Sequence, residues 1–244
     1  SPPRPRSNPF VYRAALGHPL EPKGMPASTR TFAAGSFDVF DELAEMLVGW
    51  VVPGGPHTAD VLHHAGLAAH TRMLDVGCGT GRLLARAARL EPSAVLVGVD
   101  TDRDAITIAR DRARTAPAPI ELHLASADRL PFAANTFDVA TAVFVLGDLG
   151  AAVRANVLGE IRRVLEPGGR LLVIDWVRGG CTLARIAADA VAAVPLSPMK
   201  TRVRPGRVSR MLEGASFDEA ETVHRYCTLA GAAELAVARR PFAA

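Results

Sequence analysis

The stretch Arg72-Met73-Leu74-Asp75-Val76-Gly77-Cys78-Gly79-Thr80-Gly81-Arg82-Leu83-Leu84 decides how the rest of the chain is read. A short apolar run ends in a carboxylate, three glycines follow on alternate positions, and an Ala/Leu/Arg pattern of helical spacing then begins. The pattern predicts a buried strand, a tight glycine loop and a helix N-terminus. Glycine permits positive φ and close backbone approach, and the first turn of a helix offers N–H groups without intrahelical partners. A polar, adenosine-like cofactor suits such a turn.

The spacing separates two cofactor classes. The dinucleotide fingerprint is G-x-G-x-x-G; here the third glycine comes one residue early, at Gly81, and Arg82 stands where that fingerprint has glycine. Asp75, at the end of the strand, would repel a diphosphate and attract an ammonium. A ligand with a cationic amino-acid tail therefore fits better than a dinucleotide. The next apolar run, Val95-Leu96-Val97-Gly98-Val99-Asp100, also ends in an acid. Asp100 lies the roughly 20 residues past the loop at which a carboxylate accepts ribose hydroxyls. That geometry serves any adenosine cofactor and does not choose among them.

Outward from this centre, strands and helices alternate. Helices are expected over Thr58–Leu67, Arg82–Leu90, Arg103–Arg114, Ala151–Leu165 and Arg207–Glu213, and strands over Ile120–Leu124 and Arg170–Trp176, with a further strand and its following loop within Phe137–Leu149. Glu166-Pro167-Gly168-Gly169 reads as the stop between the fourth of these helices and the strand after it. Glu219–Tyr226 and Ala232–Arg239 read as a closing hairpin. Such alternation predicts an α/β doubly wound sheet with its ligand at the carboxyl ends of the strands.

Three regions follow: a Pro/Arg-rich flexible extension (1–31), a helical segment (32–70) and the main domain (71–244). Within the second, Phe37, Phe40, Leu43, Ala44, Leu47 and Val48 recur at helical spacing, with Ser36 placed to cap and Pro53-Gly54-Gly55-Pro56 to end the helix. An apolar helix over Leu183–Val194 and a loop over Pro195–Pro205 interrupt the main domain.

Bulk properties exclude several classes. At 244 residues the chain can bury a sizeable core. The formal charge is +3, and no basic run with interleaved aromatics appears, so no nucleic-acid partner is expected. Cys78, Cys181 and Cys227 show neither a disulfide framework nor metal-ligand spacing. No apolar run approaches the ~20 residues that span a bilayer. A cytoplasmic location, no stable membrane insertion and no metal are the expectations.

Leu74-Asp75-Val76-Gly77-Cys78-Gly79-Thr80-Gly81 resembles the first motif of class I S-adenosylmethionine-dependent methyltransferases, closest to their ubiquinone/menaquinone-biosynthesis-like small-molecule branch. Glu160-Ile161-Arg162-Arg163-Val164-Leu165-Glu166-Pro167-Gly168-Gly169-Arg170-Leu171 is a second match to that family. The resemblance implies a Rossmann-like seven-stranded sheet whose last strand is antiparallel, with an N-terminal helical lid over 32–70. It implies S-adenosylmethionine as cofactor, held by Asp75, Gly77, Cys78, Gly79, Gly81, Asp100 and Thr101. Asp128 would accept from the adenine amino group within Ala127-Asp128-Arg129, with the Arg129 N–H on a ring nitrogen. Phe144 and Val145 would lie beside the methionine portion, and residues 179–204 would shape the acceptor pocket. A homodimer is compatible with all of this.

The implied reaction is in-line transfer of the sulfonium methyl to an O, N or C atom of a small acceptor, expected to be aromatic, quinone-like or a natural product. Asp148 is the leading candidate base, with His63, His64 and His224 behind it; its plainer reading is an N-cap of the helix starting at Ala151. Two rivals stand beside this reading: a nicotinamide-dependent oxidoreductase on a similar sheet, which Asp75 and Arg82 disfavour, and a noncatalytic S-adenosylmethionine-binding protein.

Overall fold

The computed structural model describes residues 58–177, 207–228 and 231–242. The expected Pro/Arg-rich extension, the Phe37–Val52 helix, the Leu183–Val194 helix and the loop after it lie outside these residues. In chain order the elements are α1 (Thr58–Ala65), β1 (Arg72–Val76), α2 (Arg82–Leu90), β2 (Val95–Asp100), α3 (Arg103–Arg114), β3 (Ile120–Leu124), β4 (Phe137–Val143), α4 (Ala151–Val164), β5 (Leu165–Val177), α5 (Arg207–Gly214), β6 (Asp218–Thr228) and β7 (Gly231–Arg239).

The seven strands form one sheet in the order β3-β2-β1-β4-β5-β7-β6. β1 pairs in parallel with β2 and β4, and β7 is antiparallel to both of its neighbours. The closing hairpin therefore forms as its alternating sequence predicts, with β7 inserted between β5 and β6. The strand order reverses direction between β1 and β4, which puts the switch point, and the crevice that goes with it, at the tips of these two strands.

The period-2 rule sorts the apolar residues onto two faces. Leu74 and Val76 of β1 join Val97, Val99, Ala140 and Ala142 in a core covered by α4 and α5. Met73 joins Leu96, Val139, Leu172 and Ile174 in a second core, covered by α1, α2 and α3. Buried on both faces, the inner strands read as continuous apolar runs. Gly98 falls on the second face because space demands it: a Cβ there would stand 2.7 Å from Leu84 Cδ1 and 2.8 Å from Cys78 Sγ.

β3 reaches β4 without a helix. The connection buries Leu130 and is tied to α4, where Glu160 accepts from the Leu130 N–H at 2.8 Å and Arg163 donates to the Phe132 carbonyl at 2.7 Å. The Arg163 guanidinium holds the Glu160 carboxyl below its usual range. These two residues belong to the second family-like motif, so that stretch also clamps a loop.

Two local expectations are corrected. The helix does end just before Glu166-Pro167-Gly168-Gly169, at Val164, but the strand begins at Leu165 rather than Arg170 and carries the run as a bulge: Phe137 pairs with Leu165 and Val139 with Arg170, so five residues of β5 answer two of β4. Pairing with β4 on both sides of the Pro-Gly-Gly run overrides its turn chemistry. The cap of α4 is Gly150, with no side-chain cap bond, rather than Asp148. Residues 146–148 form a separate 3-10 turn, whose Leu146 carbonyl accepts from Arg154 at 2.8 Å.

Candidate functional site

The glycine loop is folded back onto β2. The Gly77 and Cys78 N–H groups both donate to the Val99 carbonyl, at 2.8 and 3.0 Å, and Gly81 N–H closes the turn onto Cys78 at 2.9 Å. Gly77, Gly79 and Gly81 have φ of 69°, 51° and 75°, a region that costs a side chain strain. At Gly77 the approach is also close: a Cβ would stand 2.4 Å from Val145 Cγ2. Arg112 of α3 donates to the Thr80 carbonyl from below the turn.

Asp100 fastens this loop to the end of β2. Its carboxylate accepts from the Gly79 N–H at 2.8 Å and from the Asp102 N–H at 2.9 Å. A carboxylate offers about four acceptor positions, so two such bonds leave capacity for ligand hydroxyls.

Asp75 is placed differently. It is only 3% exposed and accepts from the Thr141 hydroxyl of β4 at 2.6 Å. Burial pushes its carboxyl up to about 7, against the pull of the Thr141 bond and with a further push from the negative Asp100. A cation brought to this corner would favour the ionised form of both acids. Burial and the same two acids raise the Cys78 thiol well above its usual range, so it is an inert packing group rather than a nucleophile.

A cavity of about 310 Å³ opens at the tips of β1, β2, β3 and β4. Gly77, Asp100, Thr101, Ala127, Phe144 and Val145 all line it. Cys78, Gly79 and Gly81 belong to the loop but not to the lining, and neither does the buried Asp75. Asp128 and Arg129 are exposed on the turn after β3, outside the lining, and the Arg129 N–H donates to the Ser126 carbonyl at 3.2 Å. Among the alternative bases, exposed His63, half-buried His64 and exposed His224 do not reach the cavity either. The Asp148 side chain lies outside the described residues.

The wall opposite Asp100 is apolar, and part of it was missed in the sequence. Leu149, Val153 and Val157 contribute from the approach to α4 and from its first two turns. Val153 is 43% exposed although it stands at core spacing, and nothing in that spacing distinguishes it from a packed core residue. Beyond β4 the chain is held in a specific shape. Phe144 adopts φ 57°, its N–H donates to the Ile174 carbonyl at 2.8 Å, and its ring stacks on Trp176 at 4.9 Å. Asp175 of β5, 3% exposed, accepts from the Gly147 N–H at 2.5 Å and from its neighbour Trp176 at 2.8 Å. Asp175 is, like Asp75 and Asp100, an acid near the end of an apolar run, and the sequence reading passed over it.

Residues 73–169 match the family model described as a methyltransferase domain. Over that stretch the chain carries a methyltransferase domain. The ubiquinone/menaquinone biosynthesis C-methyltransferase of Pseudomonas putida is 34% identical over 170 residues, which cover 66% of this chain and 66% of that protein. The chain thus spans a little under two thirds of that relative.

Among solved structures, a SAM-dependent methyltransferase from Aquifex aeolicus superposes with a TM-score of 0.62 at 18% identity, covering 86% of this chain and 99% of that one. Human N-acetylserotonin methyltransferase, solved in complex with SAM, gives 0.63 at 18% identity and covers 86% of this chain and 57% of that one. These two likenesses concern the fold.

S-adenosylmethionine is the cofactor of this class, and the residues present fit it. The cavity lies at the lower end of the ~300–1,000 Å³ usual for small-molecule sites. It carries a carboxylate with acceptor capacity at the end of β2, a glycine turn that admits close backbone approach, and an apolar wall for the methionine portion.

Proposed function

We propose that this chain transfers the methyl group of S-adenosylmethionine to a carbon atom of a small aromatic acceptor of the hydroquinone type. The observation that carries the reading is the cavity itself. Its Gly77–Asp100 side suits the polar nucleoside, and its Phe144–Val145 side, continued by Leu149 and Val153, is apolar. The acceptor class is supported by the printed activity of the Pseudomonas putida relative.

The bound cofactor supplies an activated methyl on a sulfonium, so the chain's task is alignment and exclusion of water. Asp100 would hold the ribose hydroxyls, and Asp75, behind the cavity lining and ionised in the presence of a cation, would attract the ammonium of the amino-acid tail through its charge. Phe144 and Val145, which line the cavity, would lie beside the methionine portion and exclude water from it. A hydroquinone carbon attacks more strongly once its ring hydroxyl is deprotonated, and after transfer the carbon loses its own hydrogen as a proton while the hydroxyl is restored; Asp148, in the turn beyond Val145, is the proposed acceptor of the hydroxyl proton.

Incubation of the purified protein with S-adenosylmethionine and hydroquinones bearing an open ring position tests this reading. Formation of S-adenosylhomocysteine with a ring-methylated product is expected. Methylation only at oxygen, or none across the hydroquinone series while other acceptors turn over, would reject the acceptor class.

A further inference from the structure

The cavity at the strand tips uses the acids and the glycines, but a second concavity has no part in it. An open groove of about 900 Å³ runs between α2 and α3, within the ~300–1,000 Å³ usual for small-molecule sites. Its lining is mostly polar and carries four guanidinium groups, those of Arg82, Arg86 and Arg89 from α2 and of Arg112 from α3. The single acid among the described lining residues, Asp111, is already paired with Arg114 at 3.0 Å. Four like charges in one concavity repel each other, and walls of one sign focus their field on the space between them.

Two of these guanidiniums are held in place. Arg86 donates to the Thr58 hydroxyl at 2.8 Å, and Arg112 donates to the Thr80 carbonyl at the back of the glycine turn. A guanidinium has five N–H donors in a planar fork, so the bond from Arg86 to Thr58 fixes that fork without exhausting it. Arg82, Arg86 and Arg89 follow each other at intervals of four and three and therefore share one face of α2. Arg86 and Arg89 are exposed while Arg82 and Arg112 are half-buried, so the positive charge runs from the rim of the groove inward.

The occupant that fits this arrangement carries several negative charges close together. Guanidinium forks bind phosphate oxygens in pairs, and linked phosphoryl groups concentrate about one to two charges on each group. A single phosphate or carboxylate answers one fork and leaves most of the repulsion in place. A flat anionic surface does not enter a concavity, and no aromatic side chain among the described lining residues offers a base a stacking face. Recognition then falls on the phosphoryl groups rather than on what they are attached to. We propose that the groove between α2 and α3 binds an anion of two or more linked phosphoryl groups, gripped by Arg86 and Arg89 in the field of Arg82 and Arg112. The assignment does not rest on the methyl-transfer reading.

Calorimetric titration of the full-length native protein with inorganic triphosphate at low ionic strength tests the site, with inorganic phosphate and citrate as comparison ligands. Triphosphate is expected to bind more tightly than either. Arg86→Gln with Arg89→Gln should weaken triphosphate at least about tenfold, the size of lost hydrogen bonds to charged groups. Arg103→Gln with Arg110→Gln removes two exposed arginines of α3 that do not line the groove, and should leave the affinity unchanged. Equal losses in the two double variants would reduce the effect to net charge and overturn the site, as would absence of triphosphate binding to the wild type. Citrate binding as tightly as triphosphate would overturn the phosphoryl assignment. CTP separates a nucleotide from a free oligophosphate: affinity equal to that of triphosphate is expected, and binding of CTP without triphosphate would overturn recognition through the phosphoryl groups.

Discussion

Asp75 shows how one residue can join stability to ligand charge. Its carboxyl is buried, bonded once to Thr141, and raised from 3.8 to about 7. In the unfolded chain the same group ionises near its ordinary value, so between about pH 4 and pH 7 the folded state binds more protons. Stability from this group is therefore present at low pH and falls as pH rises through that window, levelling above it. Asp75→Asn keeps an oxygen for Thr141 and cannot ionise. The variant should match the wild type near pH 4 and exceed it by about 2–4 kcal/mol near pH 8, read from urea denaturation of the ligand-free protein. Parallel pH profiles would mean that Asp75 is not held uncharged. In the proposed site such a buried acid would favour a cationic ligand over an anionic one.

At the scale of elements, the stretch after β4 matters most, because it forms the apolar wall and is shaped by β5. The stack of Phe144 on Trp176 and the bond from Gly147 to Asp175 fasten the end of one strand to the next. Phe144 tolerates a positive φ only under such constraint, a pattern concentrated at functional sites. A Cβ at Gly147 would stand 2.4 Å from Asp175 Oδ1 and 2.9 Å from its Cγ. Gly147→Ala should therefore cost about 1–3 kcal/mol of stability, as overpacking does. Because Phe144, Val145 and Leu149 share the displaced stretch, it should also weaken S-adenosylhomocysteine binding. Thermal melts and calorimetric titration of the variant check both effects; normal affinity in a destabilised protein would show that the wall adjusts independently of the turn.

Across the whole molecule, the parts legible in the sequence were those encoded locally. Asp75 and Asp100 end apolar runs, the glycines follow at tight spacing, and the alternation of runs with helical patterns implies the doubly wound sheet. What was not legible depends on partners far along the chain. Thr141 meets Asp75 across 66 residues and Gly147 meets Asp175 across 28. Glu166-Pro167-Gly168-Gly169 has turn chemistry, yet β4 pairs on either side of it and makes it a bulge. Val153 and Val157 keep core spacing on α4, and only the position of that helix shows that they face a cavity.

The carboxylate at the end of β2 is the proposed anchor of the nucleoside. Calorimetric titration of the wild type and Asp100→Ala with S-adenosylhomocysteine, with NADH as the competing ligand class, tests that claim most directly. The expected result is S-adenosylhomocysteine binding without NADH binding, and about 10- to 100-fold weaker affinity in the folded variant, the size of lost hydrogen bonds to a charged group. Unchanged affinity in Asp100→Ala, or binding of NADH alone, would contradict it.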